Sequence, residues 1–217
     1  AGSYLLSEDE IEMLTVVRKH FKKVVLLLNV GNIIDMTDIN RIAPDAVLYV
    51  WQGGMTGGKG TADVLTGKVS PSGKLPDTIA YKASDYPSDA NFGREENRDI
   101  YAEDIYVGYR YFETFAKEKV LYPFGFGLSY TEFEIKTEKA EITEGAVKLS
   151  VSVKNIGSYK GKEVIEVYCE APQGRLGKAA RVLCGFEKTR ELVPQEEQVV
   201  EIAVDIAKLA SYDGSGV

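Results

Sequence analysis

The sequence predicts an α/β region followed by an all-β sandwich. Two observations carry this. In the first half, the apolar runs at residues 24–28 and 46–51 are continuous, and helical patterns separate them. Strands buried on both faces in this way belong to a parallel sheet covered by helices. In the second half, short apolar–polar alternations recur between turn signals, as in an antiparallel sandwich.

The elements follow in order. Ser7 is an N-cap, Glu10 stands three residues on, and Leu6 and Ile11 occupy the staple positions. Ile11, Leu14, Val17 and Phe21 repeat at helical spacing, and Lys22-Lys23 close the helix, as the macrodipole favours. A strand at 24–28 runs into the turn Asn29-Val30-Gly31. A short helix is predicted at 33–41, then the turn Pro44-Asp45 and the second strand at 46–51. A Gly-rich loop at 53–60 leads to a helix at 61–65 that stops at Gly67. Two or three strands make a thin sheet, so this region reads as part of a domain.

Residues 70–98 are rich in Pro, Ser, Asp and Gly and read as loop. An aromatic stretch follows, in which Tyr109 and Tyr111 alternate around Arg110 as in a strand with one buried face. Beyond it the alternation begins with Phe133 and Ile135. It continues through Val147, Leu149, Val151 and Val153, then Val164-Ile165, Val167 and Cys169. Val182 and Cys184, then Val200, Ile202 and Val204, complete it. Asn155-Ile156-Gly157 and Pro172-Gln173-Gly174 are turns between strands. About five strands are expected, against about seven in a full sandwich. The expected domains are 1–128 and 129–217.

Composition narrows the function. Among 217 residues, 26 Lys and Arg face 33 Asp and Glu, a net charge of −7. An acidic chain is expected to bind neither nucleic acid nor a membrane surface. The apolar runs fall far short of the roughly 20 residues a membrane span needs. A (β/α)8 barrel takes roughly 250 residues, so none fits. Cys169 and Cys184 stand fifteen positions apart. That spacing suits neither a zinc site nor a redox pair; they read as buried free thiols, with a disulfide as the alternative.

Few residues suggest chemistry. The segment from Gly53 to Lys59 matches the nucleotide-loop pattern G-x-x-x-x-G-K, but Gly60 replaces the hydroxyl residue and Thr61 comes one position late. That hydroxyl binds Mg²⁺ in such loops, so a strand-to-helix turn where backbones pass close together is the competing reading. Glu95-Glu96 and Glu103-Asp104 are paired carboxylates that could serve acid/base chemistry, but adjacent side chains diverge on an extended chain, which favours solvated surface over a catalytic dyad. His20 is the single histidine and has no triad context. Tyr101, Tyr106, Tyr109, Tyr111, Phe112 and Phe115 suit either packing between domains or sugar stacking. Neither a metal cluster nor a cofactor motif stands out, and no cofactor is expected.

Five ordered motifs then carry a resemblance. They are the strand Val24-Val25-Leu26-Leu27-Leu28-Asn29 with Gly31; Thr61-Ala62-Asp63-Val64-Leu65-Thr66-Gly67 with Pro71-Ser72-Gly73-Lys74-Leu75-Pro76-Asp77-Thr78; Asp104-Ile105-Tyr106-Val107-Gly108-Tyr109-Arg110-Tyr111-Phe112; Tyr122-Pro123-Phe124-Gly125-Phe126-Gly127-Leu128-Ser129-Tyr130-Thr131; and Asn155-Ile156-Gly157 with Gly161-Lys162-Glu163-Val164. Together they resemble family 3 glycoside hydrolases, as in a bacterial β-glucosidase. The resemblance implies the C-terminal part of a Rossmann-like α/β sandwich domain and an incomplete fibronectin type III-like domain. It implies a nucleophilic Asp on a barrel and an acid/base Glu in a loop ahead of Tyr4, both outside this chain. No catalytic, substrate-binding or metal-binding residue is therefore assigned. Where the family carries Glu in its Gly-rich turn, this chain has Thr56, which receives no role. The implied partners are the barrel domain, a β-glucoside or oligosaccharide substrate, and a second copy through incomplete faces. The N-terminal segment shows no leader pattern, giving a bacterial cytoplasmic expectation. The competing functions are a nucleotide-binding module on the Gly-rich loop and a carbohydrate-binding module on the aromatic stretch.

Overall fold

A computed structural model describes residues 4–94, 97–98 and 100–213. The chain divides into two compact units, Ala1–Asp63 with Pro76–Phe124, and Val64–Leu75 with Gly125–Val217.

In the first unit, α1 spans Glu8–His20. The Glu10 N–H donates to the Ser7 hydroxyl at 3.3 Å, and the Ser7 N–H donates to the Glu10 carboxylate at 2.8 Å, the reciprocal box the sequence predicts. Leu14 is buried beneath this helix. The helix stops at His20, ahead of the predicted stop, and Phe21 becomes an extended, exposed C-cap. Asp45 draws the following chain in. Its carboxylate accepts the Val24 N–H at 2.8 Å and pairs with Arg18 at 3.1 Å and Lys23 at 3.5 Å.

β1 (Val25–Leu28) and β2 (Ala46–Tyr49) pair parallel, from Val25 opposite Ala46 to Leu28 opposite Tyr49. Between them, α2 occupies Thr37–Ile42. It starts later than predicted because the buried Asp35 carboxylate accepts the Thr37 N–H at 2.8 Å, turning the chain there, and the Ala83 N–H at 3.1 Å. Met36 and Ile39 fill the space under it. β2 ends at Tyr49, short of the predicted Trp51, because Trp51 takes a left-handed backbone with φ 55°.

Two further expectations are corrected. The Gly-rich loop is helical: a single 3₁₀ turn at Gly54–Thr56 runs into α3, Gly57–Leu65. The predicted aromatic strand is also a helix, α4, Tyr109–Phe115. Gly108 enters it at φ 58°, ψ −129°, a conformation open essentially to glycine alone. The helix buries Phe112 against Ala80 and Ala116, with Tyr86, Tyr111 and Val120 packed around. Adjacent to it, β3 (Ile79–Ala80) and β4 (Val120–Tyr122) pair antiparallel. Among the described residues, no helix is long and apolar enough to cross a membrane.

Among the described residues, the second unit is all-β apart from the end of α3 and one 3₁₀ turn at Ile206–Leu209. β5 (Phe133–Ile142), β6 (Ala146–Asn155) and β9 (Glu197–Asp205) form one antiparallel sheet in the order β5-β6-β9. β7 (Val164–Cys169) and β8 (Val182–Lys188) form another antiparallel pair. These five are the strands that the alternation predicts. The core joins both sheets: Val151, Val153, Val200 and Ile202 meet Ile165 and Leu192, flanked by Phe133, Leu149 and Val167. Gly185 on β8 leaves only 3.2 Å between a would-be Cβ and the Ile202 methyl, so the sheets close at that point. Cys169 and Cys184 are half-buried free thiols on neighbouring strands. Burial pushes the Cys184 thiol above its ordinary range.

Candidate functional site

The signature motifs of the second half of the chain converge within the second unit. Asn155, at the end of β6, is fully buried. Its side-chain amide donates to the carbonyls of Tyr159 at 2.7 Å and Leu192 at 2.9 Å. Its side-chain oxygen accepts the Thr131 hydroxyl at 2.7 Å and the Gly157 N–H at 3.1 Å. One amide thus ties four backbone or hydroxyl groups from three loops, and a buried polar group so satisfied holds the loops in one arrangement. A Cβ on Gly157 would collide with the Thr131 hydroxyl and come 2.7 Å from the Glu132 nitrogen. Only glycine fits there.

A strap packs against other loops of the same unit. Residues 64–75 belong with the second unit. Leu75 donates its N–H to Phe126 at 2.8 Å and accepts the Gly125 N–H at 2.9 Å. The Ser70 hydroxyl donates to the Lys160 carbonyl at 2.7 Å, and the Lys188 ammonium to the Ser72 carbonyl at 2.8 Å. Lys74 reaches Glu163 at 2.8 Å and the Gly127 carbonyl at 3.3 Å. A side chain on Gly127 would collide with the Gly73 carbonyl, and one on Gly125 with the Glu166 carboxylate. Burial, reinforced by Lys162 and Lys74, holds the Lys188 ammonium below its usual range, with Glu163 opposing. The motif residues are therefore spent largely on each other and on backbone within the second unit.

The remaining candidates separate. Lys59 lies within α3 and pairs with Asp63 at 2.7 Å, one turn along the same helix. The Thr61 hydroxyl donates to the Gly57 carbonyl at 3.0 Å. Neither group is presented to a phosphate, so the nucleotide reading loses its geometry. Gly53 fulfils the competing one: its Cβ would stand 2.7 Å from the Gly57 Cα. His20 turns one ring nitrogen to the Val16 carbonyl at 2.8 Å. Glu103 and Asp104 sit in a turn in which the Tyr106 N–H donates to the Glu103 carbonyl at 2.8 Å, and Asp104 is exposed with φ 48°. Glu95-Glu96 lies outside the described residues. Thr56 ends the 3₁₀ turn and is exposed, next to Met55.

The aromatic stretch is largely committed to its own unit. Tyr109 meets Phe124 at 4.8 Å between ring centroids, Tyr106 meets Phe115 at 4.8 Å, and Phe112 meets Tyr86 at 5.4 Å. Tyr101 stands exposed. A half-buried group of tyrosines was not singled out from the sequence. Tyr4, Tyr49 and Tyr86 are each pushed above the ordinary tyrosine range, chiefly by burial. Tyr86 both donates to the Thr78 carbonyl at 3.0 Å and accepts the Ala80 N–H at 2.9 Å. Tyrosines scattered over eighty residues carry no local signal of such a cluster. Among the described residues, no group of three or more His, Cys, Asp or Glu could hold a metal ion.

An α/β unit and an antiparallel sandwich closed by these interlocking glycine-bearing motifs define the class. The chain belongs to glycosyl hydrolase family 3: the family's C-terminal domain matches residues 1–130, and a fibronectin type III-like domain matches residues 163–216. Among its relatives, a β-glucosidase of Ruminococcus albus is 63% identical over 217 residues, covering 100% of this chain and 23% of the relative. β-Glucosidase A of Butyrivibrio fibrisolvens is 46% identical, covering 99% of this chain and 28% of that protein. The crystal structure of a β-glucosidase from Paenibacillus barengoltzii superposes with a TM-score of 0.94 at 52% identity, over 100% of this chain and 24% of its own. β-Glucosidase 3B from Thermotoga neapolitana in complex with glucose gives 0.91 at 39% identity, over 99% of this chain and 31% of its own. The chain thus spans about a quarter of the length of the curated relatives it matches.

Proposed function

We propose that this chain is a non-catalytic portion of a retaining β-glucosidase that hydrolyses terminal β-D-glucosides. One observation carries the reading. The chain is similar over its whole length to proteins named β-glucosidases while spanning only about a quarter of them. Its signature residues are consumed by packing, as the Lys74–Glu163 pair and the Asn155 hub illustrate. In this reading the nucleophilic Asp and the acid/base Glu, about 5–5.5 Å apart in a retaining site, lie on parts of the enzyme beyond this chain, the nucleophile on a barrel domain.

The parallel β1–β2 pair is then a piece of a larger, Rossmann-like sheet. Met13, Val16 and Phe21 around α1, with Val25 and Leu27 on β1, are exposed apolar groups that further sheet and barrel would cover. In this reading the domain boundary falls at 128/129, four residues past the Phe124/Gly125 division of the compact units, while residues 64–75 pack with the second unit, and further strands complete the sandwich. In isolation the uncovered faces bring copies of the chain together. The test is direct: the purified chain is incubated with an aryl β-glucoside beside a carrier-protein blank, and the intact parent enzyme serves as the positive control. No turnover above the blank is expected from the chain. Turnover by the chain overturns the non-catalytic assignment, and a parent inert toward β-glucosides overturns the activity.

A further inference from the structure

Trp51 is the only tryptophan in the chain, and it adopts φ 55°. A bulky side chain rarely takes the left-handed region, and such outliers gather at ligand-binding and catalytic positions. Glycine makes that turn without strain; the sequence places its largest side chain there instead. The ring is also supported. It lies 5.0 Å from the Tyr49 ring, tilted by 39°. Tyr49 is anchored in turn: its hydroxyl accepts the Ile34 N–H at 3.4 Å and donates to the Sδ of fully buried Met36 at 3.8 Å. Beside Trp51, the Gln52 side-chain amide stands 3.0 Å from where a Cβ on Gly31 would be, so the turns after β1 and β2 close on one another. Trp51 itself remains half-exposed at the carboxyl end of a parallel strand. In open α/β sheets, ligands bind outside those ends.

We propose that Trp51 is a sugar-stacking residue that receives the apolar C–H face of a glucosyl ring on its indole. The choice of sugar rests on the β-glucoside reading above. The geometry itself asks for a flat, weakly polar face, which a pyranose provides and which a stacked aromatic pair binds with broad dispersion contact. Tyr49 acts as a positioning residue, since it holds the indole rather than the sugar.

The experiment uses the intact parent enzyme with Trp51→Gly and Trp51→Phe. Glucose binding is measured by calorimetry, and KM and kcat are measured with cellobiose and an aryl β-glucoside. Trp51→Gly relieves the backbone, so a purely structural role leaves binding intact. The expected result is glucose affinity weakened about 10-fold or more, with a matching rise in KM and an unchanged melting midpoint. Trp51→Phe retains affinity within about 3-fold, because a ring face survives. Glucose affinity and KM unchanged in Trp51→Gly overturn the proposal while leaving the glycosidase reading standing. Glucose binding that depends on Trp51 in a parent without turnover supports the proposal and removes the reading instead. A parent that binds no glucose overturns it outright.

Discussion

Two glycine-bearing stretches behave in opposite ways. In the first unit, Gly57, Gly58 and Gly60 lie in helical backbone with open space where a side chain would go. In the second unit, Gly127 and Gly157 are sealed by a carbonyl and a hydroxyl from other loops. The same residue type therefore marks slack in one region and contact in the other. A run of glycines in sequence resembles a binding loop; isolated glycines attract less notice. Here the isolated ones carry the constraint, together with Gly53 at the head of the run.

The sharpest way to break this contrast is Gly157→Ala. The new methyl meets the Thr131 hydroxyl and the Glu132 nitrogen, and it disturbs the Asn155 hub. A loss of about 2–3 kcal/mol is expected from overpacking, read from the denaturant midpoint; an unchanged midpoint would dissolve the distinction. Next is Lys74→Met, which removes the ammonium between Glu163 and the Gly127 carbonyl. Both side chains are mostly covered, at 21% and 16% exposure, so leaving Glu163 unpaired costs about 1–2 kcal/mol after allowance for solvent. Weaker protection of the Leu75 amide in hydrogen exchange would locate the damage in the strap.

Gly60→Ala probes the other side. Its Cβ enters open space inside α3, so the change should stabilise by about 0.5–1 kcal/mol. A destabilised variant would mean that the Gly-rich stretch is constrained after all. The smallest effect is electrostatic. The Asp45 carboxyl is held below its ordinary range, first by the Val24 N–H, then by Arg18 and Lys23. A depressed pKa contributes stability above the unfolded value, about 3.9 for Asp, and loses it as pH falls through the lower folded value. Asp45→Asn should therefore flatten the acid limb of the stability curve below about pH 4, leaving its slope near neutrality unchanged. An acid limb as steep as that of the unsubstituted chain would remove Asp45 from the account.

What was legible in sequence was local or periodic. The Ser7–Glu10 box spans three residues, and α1 begins where it predicts. β9 buries Val200, Ile202 and Val204 and exposes their neighbours, as strict alternation requires. Misreadings arose where local pattern competed with tertiary demand. Tyr109 and Tyr111 suggested a strand, but burial of Phe112 and the Gly108 turn wound the segment into a helix. The Gly-rich segment suggested a phosphate loop, yet its lysine sits inside the helix on an ion pair.

By itself, the sequence determined the two textures, the capped first helix, the five sandwich strands and, through its motifs, the family. Those features depend on neighbours within a few residues or on a repeat of two or 3.6. Tertiary structure alone decided what the motifs are for. Asn155 meets Thr131 and Leu192 across gaps of 24 and 37 residues, and Ser70 meets Lys160 across 90. Hydrogen bonds of that reach have no periodicity to read. Nor does the left-handed turn of Trp51, which depends on how the ends of two strands come together.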